Sequence, residues 1–130
     1  MLLEASRAVD AEVTAALADR GASDLTPGQA AAMLLIDRTV TRLTDLAEQA
    51  QITKQAMMQV VDDLESLGYV RRVRDQRDAR AKIVRLTPKG TASKAEARRA
   101  MASVESRIRR RLGDRGHETL RRSLAELAPG

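Results

Sequence analysis

The stretch ITKQAMMQ, residues 52–59, concentrates side chains that can read another molecule. Thr53 offers a hydroxyl at a helix start, Lys54 an ammonium, and Gln55 and Gln59 two carboxamides one helical turn apart. A carboxamide carries a donor and an acceptor side by side, as does the major-groove edge of adenine, and a thioether such as Met58 can rest against a thymine methyl. Thr53 caps the helix, binds a phosphate at its positive end, or does both. Lys54 can reach a phosphate or a guanine, or stay solvated, and Met58 can equally be a lone exposed apolar residue. A second set lies in RRVRDQRDARAKIVRLTPK, residues 71–89, with eight Lys or Arg against two Asp. Of the formal net charge of +5, this segment supplies +6, so the rest of the chain is almost neutral. A basic excess confined to so short a segment suggests a polyanion partner.

Other chemistries find little support. His117 is the single histidine, and its neighbour Glu118 cannot share its face on a helix. It is expected at the surface, in solvent. Neither a metal set nor a Ser/His/Asp set can be assembled, so no catalytic residue, metal or cofactor is expected and the chain does not read as an enzyme. Cysteine is absent, which removes disulfides and thiol switches. The opening MLLEASRAVDAEV carries acids early and no long apolar run; neither a leader nor a membrane span is expected, and a cytoplasmic location fits.

Elements must position these residues. With 130 residues and Tyr69 as the only aromatic, the core has to be Leu, Val, Ile, Ala and Met, a composition that favours helices. Apolar residues at three- and four-residue steps predict a helix over 2–20. Thr26-Pro27 with Gln29 forms a capping box for a second helix running to about Asp37. RTVTRL (38–43) reads as a very short strand. Thr44 is expected to cap a short third helix ending near Gln51, and Thr53 a fourth running to Leu67 and stopped by Gly68. On this fourth helix Met57 falls with Val60, Val61 and Leu64 on the inner arc, and Met58 with Lys54, Gln55 and Gln59 on the outer. The first half of the outer arc has no acid; Asp62 and Glu65 occupy its second half. After Gly68 the period becomes that of strands, YVRRVR and KIVRL, joined by the polar tip DQRDARA. Thr87-Pro88 opens a long helix to Leu112, Gly113 breaks it, and a last helix follows.

The run RLTDLAEQAQITKQAMMQVVDDLESLGYVRRVRDQRDARAKIVRLTPKG, residues 42–90, strongly resembles the winged helix-turn-helix core of the MarR family of bacterial transcriptional regulators. The resembling features, in order, are LTDLAEQA, ITKQAMMQVVDDLE, GYV, DQRDARA and VRLTPKG, with LTPGQ (25–29) ahead of them. The resemblance implies a single mainly α domain over 1–130 with a two- to three-stranded β wing. Its DNA-binding lobe would span 25–90, and helices 2–20 and 91–128 would pair two copies into a homodimer. It implies that Thr53, Lys54, Gln55, Met58 and Gln59 meet the major groove of double-stranded DNA. Arg77 would be the wing-tip arginine, Arg80 its partner, Asp78 a brace for the wing, and Arg74 and Lys82 phosphate neighbours. The function implied is a sequence-specific regulator, a repressor, on an inverted-repeat operator. A small-molecule effector stays open; Met33, Arg38 and Tyr69 could line its cleft or serve as plain core and surface. A winged helix that binds protein, or a DNA binder with no ligand, are the alternatives, and the arginines at 71, 72, 74, 77 and 80 argue against the first.

Overall fold

The computed structural model describes residues 1–37, 41–78 and 80–128. Its elements in chain order are α1 (Leu2–Asp19), α2 (Pro27–Leu35), α3 (Leu43–Ala50), α4 (Lys54–Ser66), β1 (Val70–Arg74), β2 (Lys82–Leu86) and α5 (Pro88–Leu127). This is the mainly α fold with a small β wing. The capping box forms as expected: the Gln29 N–H donates to Thr26 Oγ1 at 3.1 Å and the Thr26 N–H to Gln29 Oε1 at 3.0 Å. The apolar spacing of the sequence becomes one core, with Leu17, Met33, Ile36, Leu46, Met57, Val61, Leu64 and Val84 buried from six different elements and turns. Met57 is 1 % exposed and Met58 44 %, so the two neighbours serve opposite faces of α4.

The start of α3 differs from the sequence expectation. Thr44 lies inside the helix, and Arg42 occupies the cap position with no side-chain cap bond. The physical reason is that Arg42 is already held from outside the helix. Its backbone is extended and bridges Ile83 on β2, and the Val84 N–H donates to the Thr41 carbonyl at 2.7 Å. Residues 38–40 of the expected short strand lie outside the described ones; among the rest, Arg42 forms this bridge. At its other end α3 stops on Gln51, which takes a left-handed conformation (φ 57°). The Ile52 N–H then reaches back to the Ala47 carbonyl and that of Gln51 to Glu48, which satisfies the last carbonyls and turns the chain into α4.

Strands β1 and β2 pair antiparallel from Val70↔Leu86 to Arg74↔Lys82. Thr87 locks the two ends of this hairpin together. Its hydroxyl reaches the Gly68 carbonyl at 2.6 Å, its N–H donates to the Tyr69 carbonyl at 3.0 Å, and its Oγ1 caps α5 through the Gly90 N–H. Gly90 packs directly on that corner, where an added β-carbon would stand 1.9 Å from the Tyr69 carbonyl oxygen. Further along, Gly113 is non-helical inside α5 (φ 75°, ψ 164°), as the sequence suggested. The break reverses the chain: His117 Nε2 sits 3.2 Å from Glu105 Oε1, whereas twelve residues of straight helix would separate them by about 18 Å.

Gly90→Ala is expected to destabilise the protein by about 1–3 kcal/mol or more, because backbone rather than a mobile side chain must yield. Urea unfolding of the variant against wild type checks this. Gly28→Ala, where nothing lies within 4 Å of the new carbon, is the matched control.

Candidate nucleic-acid interface

Helix α4 begins with Thr53, whose Oγ1 accepts the Ala56 N–H at 3.0 Å, so the cap role is real and the hydroxyl stands at the positive helix end. Lys54, Gln55, Met58 and Gln59 are exposed on the arc away from the core. Gln59 is not idle: its Nε2 donates to Asp63 Oδ1 at 3.0 Å. Lys54 and Met58 form one wall of a groove of about 560 Å³ between α4 and the wing. Arg80 and Lys82 stand on the opposite wall, and Arg42 and Thr44 close its end. Arg74 and Arg77 border a second hollow of about 340 Å³ with Val73, Asp75, Ile83 and Arg85. The expected basic set is therefore divided between two hollows.

Two ion-pair networks fix this arrangement, and sequence reasoning missed both. Arg72 on β1 donates to Glu65 Oε1 at 2.8 Å and to Asp62 Oδ1 at 2.5 Å, while its backbone N–H donates to Glu65 Oε2 at 3.1 Å. The acids in the second half of α4 thus tie the wing to the helix. The second network is centred on Asp75, which is 3 % exposed. Its Oδ1 accepts the Arg77 N–H at 2.9 Å and its Oδ2 the Arg42 guanidinium at 2.8 Å. These two contacts, the Arg77 N–H first, hold the Asp75 carboxyl below the usual carboxylate range. Asp78 repeats the turn three residues on, accepting the Arg80 N–H at 3.0 Å. The signal was present in DQRDAR, where each Asp precedes an Arg by two residues, the spacing of an Asp side chain that bonds its own backbone. Only the partner from α3, Arg42, had no sequence signal.

Two of the residues considered for a ligand cleft, Met33 and Tyr69, are buried. The Tyr69 hydroxyl donates to Asp24 Oδ1 at 2.5 Å, Lys89 Nζ stands 4.4 Å from the ring centroid, and burial together with Asp24 pushes the phenol up to about 12. Arg38 lies outside the described residues. His117 corrects the sequence reading. It is 7 % exposed rather than solvated, because the reversal at Gly113 folds it onto Glu105 and the apolar groove between α1 and the two limbs of α5. Among the described residues no group of three or more His, Asp or Glu could hold a metal ion, and no helix is long and apolar enough to cross a membrane.

With this geometry in view, known proteins give a consistent answer. The MarR family profile matches residues 23–81, the segment from the approach to α2 through the wing tip. A probable transcriptional regulator from Pseudomonas aeruginosa superposes with a TM-score of 0.86 at 26% identity, over 98% of this chain and 93% of its own. The transcriptional repressor CouR, solved on a 23-mer DNA duplex, gives 0.85 at 30% identity over 98% and 89%. CouR bound to p-coumaroyl-CoA gives 0.83 at 28% over 97% and 87%. No curated protein matches the chain. The chain belongs to the MarR family and is a DNA-binding transcriptional regulator with a winged-helix fold.

Asp75 generates a pH prediction. Its carboxyl titrates lower in the folded wing than in the unfolded chain, so its contribution is present above the ordinary carboxylate value and disappears as pH falls through the lowered one. The protection of the Arg77 amide against hydrogen exchange is expected to persist as pH falls through the ordinary carboxylate range and to be lost only below it. In Asp75→Ala, which removes the acceptor, that amide should lose its protection already at neutral pH, with the acid dependence gone.

Proposed function

We propose that the protein is a homodimeric repressor that places α4 in the major groove and the wing tip in the neighbouring minor groove of an inverted-repeat operator. The observation that carries this reading is the groove between α4 and the wing, with Lys54 and Met58 on one wall and Arg80 and Lys82 on the other. Its walls carry Lys54, Arg80 and Lys82, and the one acid that lines it, Asp62, is paired with Arg72. In this reading Gln55 and Gln59 meet base edges, Thr53 and Lys54 meet phosphate or guanine, and Met58 meets a thymine methyl. Arg77 and Arg80 enter the minor groove, and Arg74 and Lys82 neutralise phosphates on either side. Asp75 and Asp78 hold the wing tip in the shape that presents these arginines.

Pairing of two copies is supported by the terminal helices. Leu2, Leu3, Leu120, Leu124 and Leu127 are all exposed on α1 and the second limb of α5, an apolar surface that a second copy would cover. CouR was solved both on DNA and with p-coumaroyl-CoA, which supports a regulator released by a small molecule. Release requires a ligand that prefers the arrangement in which the two α4 helices no longer match successive grooves. A cytoplasmic site of action follows from an operator as target.

Footprinting on sites selected from random DNA is expected to show two half-sites in inverted repeat, about ten base pairs apart or a multiple. A monomer protecting one unrepeated half-site would overturn the reading. Two variants separate affinity from specificity. Arg77→Ala should weaken all sites alike and flatten the salt dependence by about one unit of slope. Gln59→Ala should cost about 1–3 kcal/mol at one base pair and little elsewhere. Competition binding at several salt concentrations measures both.

A further inference from the structure

Five methionines are spread along the chain, and no cysteine is present to react with an oxidant ahead of them. Met33 and Met57 are buried in the core, and Met101 is half-buried against it. Met1 is exposed at the first residue. Among the described residues Met58 is the one other exposed methionine, and it stands on the α4 face that carries Lys54, Gln55 and Gln59. Exposed apolar side chains are common, but this one lines the groove of about 560 Å³ between α4 and the wing. Of the cations that share the groove, Arg42 and Arg72 are held by carboxylates. Lys54, Arg80 and Lys82 are in no ion pair among the described residues. Lys54 lies one helical turn before Met58, so the two side chains are neighbours. A thioether is at most a weak acceptor and leaves these donors free for phosphate. Oxidation turns it into a polar group whose oxygen accepts from them.

We propose that Met58 is an oxidation switch, at which hypochlorous acid or an oxidant of its class converts the thioether to the sulfoxide and so releases DNA. The sulfur attacks chlorine and hydroxide leaves; water then adds to the sulfur and chloride departs. Sulfur gives up two electrons, chlorine gains two, and the products are the sulfoxide, chloride and one proton. The sulfoxide ends the apolar contact with a thymine methyl and sets an acceptor beside Lys54, Arg80 and Lys82, which otherwise face phosphate. A methionine sulfoxide reductase reverses the change, removing the oxygen as water while two thiols become a disulfide. The proposal rests on the reading of α4 as the helix that contacts DNA. DNA bound there covers Met58, so the free protein is the form that an oxidant traps.

The full chain, treated with a limiting amount of hypochlorous acid, is tested for binding to its selected operator by fluorescence anisotropy, with oxidised positions located by peptide mass spectrometry. Met58 and Met1 should take up oxygen before Met33, Met57 and Met101, in the order of their exposure. Operator affinity should fall about tenfold or more as Met58 is oxidised, and methionine sulfoxide reductase with a thiol reductant should restore it. Met58→Leu has no sulfur at this position; whatever its own affinity, the oxidant should not change it. Met101→Leu, on the terminal helices, should respond as the wild type does. Saturating operator should slow the oxidation of Met58 and leave that of Met1 unchanged. Oxidation of Met58 with no loss of affinity, equal loss in Met58→Leu, or no recovery with the reductase overturns the switch and leaves the regulator in place. Oxidation of Met58 at one rate with and without operator overturns the placement of α4 on DNA, and the switch with it.

Discussion

The buried carboxylate of Asp75 is the contact on which the presentation of the wing depends. A two-stranded ribbon with a seven-residue tip has no core of its own to hold it, and isolated hairpins are marginal in water. Asp75 supplies what the ribbon lacks. One oxygen closes the tip on the Arg77 N–H, and the other accepts Arg42, which stands at the head of α3. A single side chain thereby ties tip conformation to the helical body. The bridge from Arg42 to Ile83 and the bond from the Val84 N–H to the Thr41 carbonyl reinforce the same junction through the backbone.

Arg72 performs the matching task on the other side. By taking both Asp62 and Glu65 it sets the angle between β1 and α4, and its single charge offsets one of the two carboxylate charges there. An exposed ion pair is ordinarily worth little, but a guanidinium shared by two carboxylates, one of which also accepts its backbone N–H, gives geometry as well as energy. Arg72 and Asp62 themselves line the groove between helix and wing, so the contact that sets its width is part of its wall. Gln51, in the left-handed region at the end of α3, does the same for the turn between the two helices, since the angle at which α4 leaves is set there.

The terminal helices are organised differently. Gly113 lets α5 reverse, and the reversal hides His117 against Glu105 while leaving a row of leucines in solvent. Where the end of α2 meets α5, burial and Arg98 disfavour the charge on Lys94, while Asp37 favours it. Family membership accounts for the fold and the class of partner.

Much of the architecture was readable because it is local. The capping box at Thr26, the cap at Thr53, the inner and outer arcs of α4 with Met57 and Met58 parted, the change of period after Gly68 and the break at Gly113 all depend on residues within a turn or two of each other. Helical and strand periodicity record such relations directly. What only tertiary structure decided involves residues far apart in sequence. Arg42 meets Asp75 across 33 positions, which moved the start of α3 away from Thr44. Arg72 meets α4, Lys94 meets the Ile36 carbonyl, and His117 turns inward, each because packing brings together groups whose spacing carries no period. Charge pairing is set by distance in space. The sequence by itself determined which residues were basic and which face of α4 was free, and the fold decided which of those charges are held by carboxylates and which line the grooves where an anion could be bound.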